Sequence, residues 1–312
     1  MSMQVTCHTG GRTFSLANPV MSAPGGVGNV VEFRHLTDLT KLGAVIPNSL
    51  MNQDGAPSAA TKFCCADAGF ISAYGANNIS LQNFIDEQMP LLPDGPKLIV
   101  DLKARTMAEM AEMAALAAKT KRIDCIEINL ICPYGTGEPA YYSDPDKLKR
   151  LVGGVKDVSG GKPVIAKAPG GDFSMRYMAE VLQESGIDMF VSFNCLNGCS
   201  IDIRTRTYRC GAGGGGGFFG AGIKPYALSR LREAASAFSI PVIGAGGINS
   251  AEDVIEYILA GAFAVQIGSA NLKRPDFMEK LLVDLEKLMN ELDIHSLDEI
   301  RGTAKVAHVD AR

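Results

Sequence analysis

The stretch IPVIGAGGINSAEDVIEYILAGAFAVQIGSAN, residues 240–271, holds one complete folding unit. IPVIGAG (240–246) is an almost unbroken apolar, β-branched run that ends in glycines, as expected of a strand covered on both faces. SAEDVIEYILAGA (250–262) has helical apolar spacing, an N-capping serine at Ser250 and a stop at Gly261. AFAVQIG (262–268) is a second buried strand, and it too ends in a glycine. A strand, a helix and a second covered strand make a parallel βαβ crossover.

The same unit recurs outward along the chain. Further strands are expected at NPVMSA (18–23), GAVIP (43–47), KLIVDL (97–102), DCIEINL (124–130), KPVIAKA (162–168) and IDMFVSF (187–193). Helices are expected over 34–41, 80–88, 106–120, 145–158, 173–186, 224–238 and 275–293. In TMAEMAEMAALAAKT (106–120), Thr106 and Glu109 form a capping box, and the methionine stripe reads as core packing. Eight strands, each followed by a helical segment, describe an α/β protein of the (β/α)8 TIM-barrel type. An open doubly wound sheet accounts less well for eight evenly spread units. VTCHTGGRTFSL (5–16) reads as a β-hairpin around Gly10–Gly11, preceding the first barrel strand. No linker or charge run divides the chain, so a single domain over residues 1–312 is expected.

Composition narrows the function. Hydrophobic content of 46% and charged content of 21% belong to a folded globular chain. A net charge of −4 offers no electrostatic basis for binding nucleic acid or an anionic membrane. No apolar run approaches the ~18 residues of a membrane helix, and MSMQVTCHTGGRTF does not resemble a signal peptide, so a cytoplasmic location is expected. The eight cysteines are scattered, and none form a CxxC pair. Reduced thiols are expected and no metal site, the closest spacings being Cys64–Cys65 and Cys195–Cys199.

In such barrels chemistry gathers where strands end. The residues at those ends are Asn48, Ser49, Asn129, Cys132, Lys167, Asn194 and the glycine turns IGAGGINS (243–250) and IGSAN (267–271). Two glycine turns after strands seven and eight are the usual place for a phosphate, held by backbone N–H groups. GAGGGGGFFGAG (211–222) has the composition of a flexible linker, yet on this face it could also serve as a lid or approach a flat cofactor. Cys132, directly before Pro133, reads either as a catalytic thiol or as core packing.

Taken in order, EINLICP (127–133), VIAKAP (164–169), FNCLNGCSID (193–202), IKP (223–225), GAGGINSAEDV (244–254) and AVQIGSA (264–270) resemble the class 1 dihydroorotate dehydrogenases. These are FMN-dependent barrels of the cytosol that act in pyrimidine metabolism. The resemblance implies that Gly246, Gly247, Gly268 and Ser269 hold the FMN phosphate. It further implies that Ala23, Gly25, Ser49, Asn129, Lys167, Asn194 and Gly222 contact the rest of the cofactor. Cys132 matches the family's acid/base on the carbon next to the one exchanging hydride with flavin N5. A lysine at the N1/O2 edge, here Lys167, stabilises the anionic reduced ring. By analogy the protein is expected to be a homodimer acting on a small molecule.

The expected substrate residues are Asn48, Ser72, Tyr74, Gly75, Asn129, Tyr134, Asn194 and Cys195. Four of them depart from the family. Asn48 replaces a lysine, Ser72 and Tyr134 replace asparagines, and Cys195 replaces a serine or threonine. Each lost buried hydrogen bond costs about 1–3 kcal/mol. The departures therefore point to a different or wider substrate with flavin chemistry retained. The alternatives are authentic oxidation of dihydroorotate to orotate, a non-flavin phosphate-binding aldolase or isomerase using Lys167 as a Schiff base, and a silent binding protein.

Overall fold

A computed structural model describes residues 2–55, 61–73, 78–133, 135–211 and 213–306. Its centre is a closed barrel of eight parallel strands: β1 (Val20–Ser22), β2 (Ala44–Val45), β3 (Lys97–Leu102), β4 (Cys125–Asn129), β5 (Val164–Lys167), β6 (Met189–Val191), β7 (Val242–Ala245) and β8 (Ala264–Ile267). Each strand pairs with its sequence neighbour, and β8 closes on β1 through Val265–Val20, Gln266–Met21 and Ile267–Ser22. The expected hairpin is present as Val5–Thr9 paired with Arg12–Leu16, turning on Gly10 and Gly11 at positive φ.

Helices α1 (Met107–Lys119), α2 (Pro145–Val158), α3 (Met175–Glu184), α4 (Lys224–Ala237), α5 (Ala251–Leu259) and α6 (Phe277–Glu291) surround the strands. Local chemistry sets their starts. The Thr106 hydroxyl accepts from Glu109 N at 3.1 Å, and Ser250 accepts from Asp253 N at 3.3 Å. The α1 stripe of Met110, Met113, Ala114 and Ala117 is buried in the main core, as its spacing requires.

Two expectations are corrected, and the helix expected over 80–88 is present with a change of type. Residues 34–41 form turns closed by a short 3-10 helix, Leu39–Lys41, instead of an α-helix. Here the Asp38 carboxylate accepts from Thr40 N, and Glu279 accepts from Thr37 Oγ1 and Asp38 N, so side chains take the local donors. Residues 80–88 begin with one α-helical stretch, Leu81–Asn83, then widen into a π-helix, Phe84–Gln88, before Pro90.

The glycine-rich segment is not a linker either. Gly216–Phe219 is a strand in an antiparallel sheet with Leu196–Gly198, Gly69–Ser72 and Phe63–Ala66, lying over the barrel mouth. A Cβ on Gly216 would strike the Ser72 carbonyl, and one on Gly69 would strike that of Phe219. The glycines allow this close backbone approach.

Candidate active site

Two adjoining chambers open at the C-terminal ends of the barrel strands, with volumes of about 370 Å³ and about 670 Å³. Both fall in the usual range for small-molecule sites. Lys167, Asn194, Asn48, Ser72, Gly25 and Phe219 line both and mark their junction.

The smaller chamber is walled at one end by the turns after β7 and β8. Ala23, Gly25, Gly246, Gly247, Gly268 and Ser269 all line it. Gly246 and Gly247 have φ of 105° and 72°. A Cβ on Gly247 would lie 2.6 Å from Lys224 N, and one on Gly26 would lie 2.7 Å from Gly268 Cα. The turns are thus packed backbone against backbone. Gly25 differs: at φ 87° its missing Cβ would meet nothing within 4 Å. Phe193, Phe70 and Phe219 supply aromatic walls. Glycine turns, a buried lysine and apolar rings lining one chamber fit a flat, phosphate-bearing ligand.

Lys167 terminates β5 and is only 4% exposed. Its Nζ donates to Gln266 Oε1 at 2.7 Å and sits 3.2 Å from Glu127 Oε1. The Gln266 amide in turn donates to the other Glu127 oxygen. These side chains come from β4, β5 and β8, so the barrel itself fixes the ammonium. Burial pushes the Glu127 carboxyl up to about 7, with Lys167 pulling it down and Asp101 adding to the rise.

The larger chamber is lined by Asn48, Ser49, Ser72, Asn129, Asn194 and Cys195. Register places Asn129 directly opposite Lys167 on β4 and β5. Asn194 Nδ2 lies 3.4 Å from Asn129 Oδ1, and Asn129 Nδ2 lies 3.4 Å from Asp101 Oδ1, which links the two chamber amides to a fully buried carboxylate. Burial raises the Cys195 thiol, with Lys103 and Lys167 opposing.

Two expected site residues sit differently. Cys132 is fully buried, its thiol donates to the Ala104 carbonyl at 3.2 Å, and its neighbour Ile131 is the residue that reaches the chamber wall. The Gly222 N–H donates to the Ala68 carbonyl at 3.1 Å, and Ile223 beside it lines the smaller chamber. Tyr74, Gly75 and Tyr134 lie outside the described residues.

Sequence reading overlooked Glu127, Gln266 and Lys103. The signal for the first two was a polar residue inside an otherwise apolar strand, in CIEIN and AVQI. For Lys103 it was a lysine immediately beyond KLIVDL, at a strand's C-terminal end. Among the described residues no group of three His, Cys, Asp or Glu is placed to hold a metal, and no helix is long and apolar enough to cross a membrane.

A family model described as dihydroorotate dehydrogenase matches residues 7–289. A protein of Solidesulfovibrio magneticus named dihydroorotate dehydrogenase B (NAD(+)), catalytic subunit, is 36% identical over 292 residues, covering 93% of this chain and 95% of that protein. Proteins with the same name from Maridesulfovibrio salexigens and a Geobacillus species are 32% and 34% identical, covering 93% and 92% of this chain and 96% and 92% of theirs.

Proposed function

Because the chain belongs to the dihydroorotate dehydrogenase family, and is therefore an oxidoreductase acting on CH–CH donors, we propose that it is the FMN-binding catalytic subunit of such an enzyme. Its substrate on this reading is a small dihydropyrimidine with a CH–CH bond next to a carbonyl. The observation that carries it is the buried Lys167, pinned by Glu127 and Gln266 where the two chambers meet.

The glycine turns at Gly246–Gly247 and Gly268–Ser269 would hold the phosphate, while Ala23, Gly25 and Lys167 would flank the ring. Bound FMN would supply a hydride acceptor at N5. Lys167 would supply a positive charge to offset the negative charge that a flavin takes on when reduced. Asn129 and Asn194 orient the substrate from the opposite side, using amide groups that both donate and accept. Cys132 exchanges the proton on the adjacent substrate carbon. That role requires the thiol to leave its hydrogen bond to the Ala104 carbonyl.

Dihydroorotate is the first substrate to test. A related but different dihydropyrimidine is the second reading, favoured by neutral Asn48 in the chamber wall. Relative rates on dihydroorotate and dihydrouracil separate the two. The relatives' name, catalytic subunit, supports a complex with a second kind of subunit; a plain homodimer is the simpler assembly. Size-exclusion chromatography of the purified chain, alone and from its native source, distinguishes them. The colour of the purified protein is the first check on the cofactor. A yellow preparation that releases FMN on denaturation agrees with the proposal, and a colourless one that takes up no FMN returns Lys167 to Schiff-base chemistry.

A further inference from the structure

Two thiols of the roof sheet take no part in the chemistry proposed above. Cys64 lies in Phe63–Ala66, the edge strand of that sheet, where its register partner is Ile71. Cys210 follows the short hairpin of Ile201–Asp202 and Thr207–Tyr208 and comes up beside the same position. Its Sγ lies 3.6 Å from the Ile71 carbonyl, and a side-chain hydrogen bond joins it to the Cys64 thiol. Backbone contacts fix this meeting from both sides. Gly211 N donates to the Thr61 carbonyl at 2.9 Å, and Ala73 N donates to the Lys62 carbonyl at 2.8 Å. A Cβ on Gly211 would lie 3.1 Å from that of Ala73. The segments 61–64, 71–73 and 210–211 are therefore held against one another by hydrogen bonds alone.

Side chains alternate along a strand, so the adjacent Cys65 points to the face opposite Cys64. It shares the face of its partner Phe70, which lines the smaller chamber. Exposure divides Cys64 from Cys210. Cys64 is half-buried on a sheet edge, whereas Cys210 is 2% exposed. Burial raises the Cys210 thiol, and Cys64 beside it adds to the rise. Cys64 is thus the thiol that a small oxidant reaches, and Cys210 is the one placed to resolve the product. Contact at this range offsets the smaller thiolate fraction of Cys210.

We propose that Cys64 and Cys210 form a peroxide-sensitive dithiol that closes to a disulfide and locks the wall of the larger chamber. Thr61, Ser72, Ala73 and Gly211 belong to that wall. The Cys64 sulfur attacks hydrogen peroxide: the O–O bond breaks, an S–O bond forms, and one water leaves. The Cys210 sulfur then displaces the hydroxyl of this sulfenic acid, so that an S–S bond replaces the S–O bond. The Cys210 proton departs with the second water. Peroxide is reduced to two waters, the two thiols are oxidised to one disulfide, and a dithiol reverses the change by exchange. The proposal stands independently of the cofactor and substrate that the chambers take.

The test treats the full chain, as purified and freed of reductant, with hydrogen peroxide and maps its peptides by mass spectrometry. Wild type is expected to yield peptides joined through Cys64 and Cys210, which dithiothreitol separates. Cys65→Ser should keep the cross-link, whereas Cys64→Ser should lose it. Cys210→Ala should lose it too and hold a sulfenic acid at Cys64 that dimedone labels. Amide exchange across Phe63–Ala66 and Gly69–Ser72 should slow several-fold in the oxidised protein and recover on reduction. Pairing of either thiol with Cys65 or Cys199 instead would overturn the proposal. So would oxidation of Cys64 past the sulfenic stage with Cys210 still a thiol, or no oxidation of either. A mapped Cys64–Cys210 disulfide with unchanged amide exchange would also overturn it, because the chamber wall would then not be locked.

Discussion

At the residue scale the two cysteines near the chambers make contrasting predictions. Cys132 precedes a cis peptide bond to Pro133 and donates to the Ala104 carbonyl, while Cys195 lines the chamber itself. If Cys132 carries the proton, Cys132→Ser should lower kcat/KM by about 10²- to 10⁴-fold, the range for loss of a general acid or base, and move the pH profile. Cys195→Ser should change kcat/KM by less than about tenfold, since its side chain lines the chamber and no proton transfer is assigned to it. Stopped-flow kinetics of flavin reduction across pH checks both. Lys167 makes a second prediction. Removing one member of a buried ion pair costs about 3–5 kcal/mol when the other stays charged. Lys167→Met should lift the Glu127 carboxyl still higher and be destabilised increasingly as pH rises, approaching that amount only in alkali where Glu127 is forced to ionise, as read by denaturant unfolding, and by less in acid. The site lysine was legible in the sequence because a cation ending an apolar strand is rare. The resting place of the Cys132 thiol was not, because motif spacing carries no rotamer.

At the scale of elements, strand order was readable and the roof over the site was not. The run KLIVDL and the observed β3 coincide at Lys97–Leu102, because continuous apolar β-branched sequence has no other comfortable home. The roof sheet uses Phe63–Ala66, Gly69–Ser72, Leu196–Gly198 and Gly216–Phe219, brought together from segments far apart in the chain. Pairing of this kind is long-range, and glycine composition signals only freedom, not what the freedom is used for. Because those glycines allow the strands to touch, Gly69→Val should push Gly69–Ser72 away from Phe219 and Gly220. The expected result is a loss of about 1–3 kcal/mol and weaker FMN retention, with helical circular dichroism unchanged. Full FMN retention in this variant would show that the roof does not shape the chamber.

At the scale of the whole molecule, the barrel encloses an ionisable network, and this gives stability a pH dependence of definite sign. The Glu127 carboxyl is pushed up to about 7 in the folded chain, against about 4.3 when unfolded. Between those values the folded state binds the extra proton. Its contribution is full below the unfolded pKa and is lost as pH rises through the folded one. Stability should therefore fall by on the order of 3 kcal/mol from about pH 4.5 to pH 7 through this group. Glu127→Gln should flatten that segment of the unfolding profile, and an unchanged slope would place the titration elsewhere. Composition indicated a folded chain with no electrostatic call for nucleic acid, and strand spacing indicated the barrel. Neither could show that Glu127, Gln266 and Lys167 meet, since three strands contribute to that contact. The central claim is that Lys167 and the glycine turns hold a flavin that a dihydropyrimidine reduces. It is tested most directly by mixing the FMN-loaded protein with dihydroorotate under anaerobic conditions and following the flavin absorbance. Bleaching of the oxidised flavin, slowed in Cys132→Ser, is expected; a flavin left unbleached both by dihydroorotate and, in the parallel experiment, by dihydrouracil, at saturating substrate and long times, would contradict it.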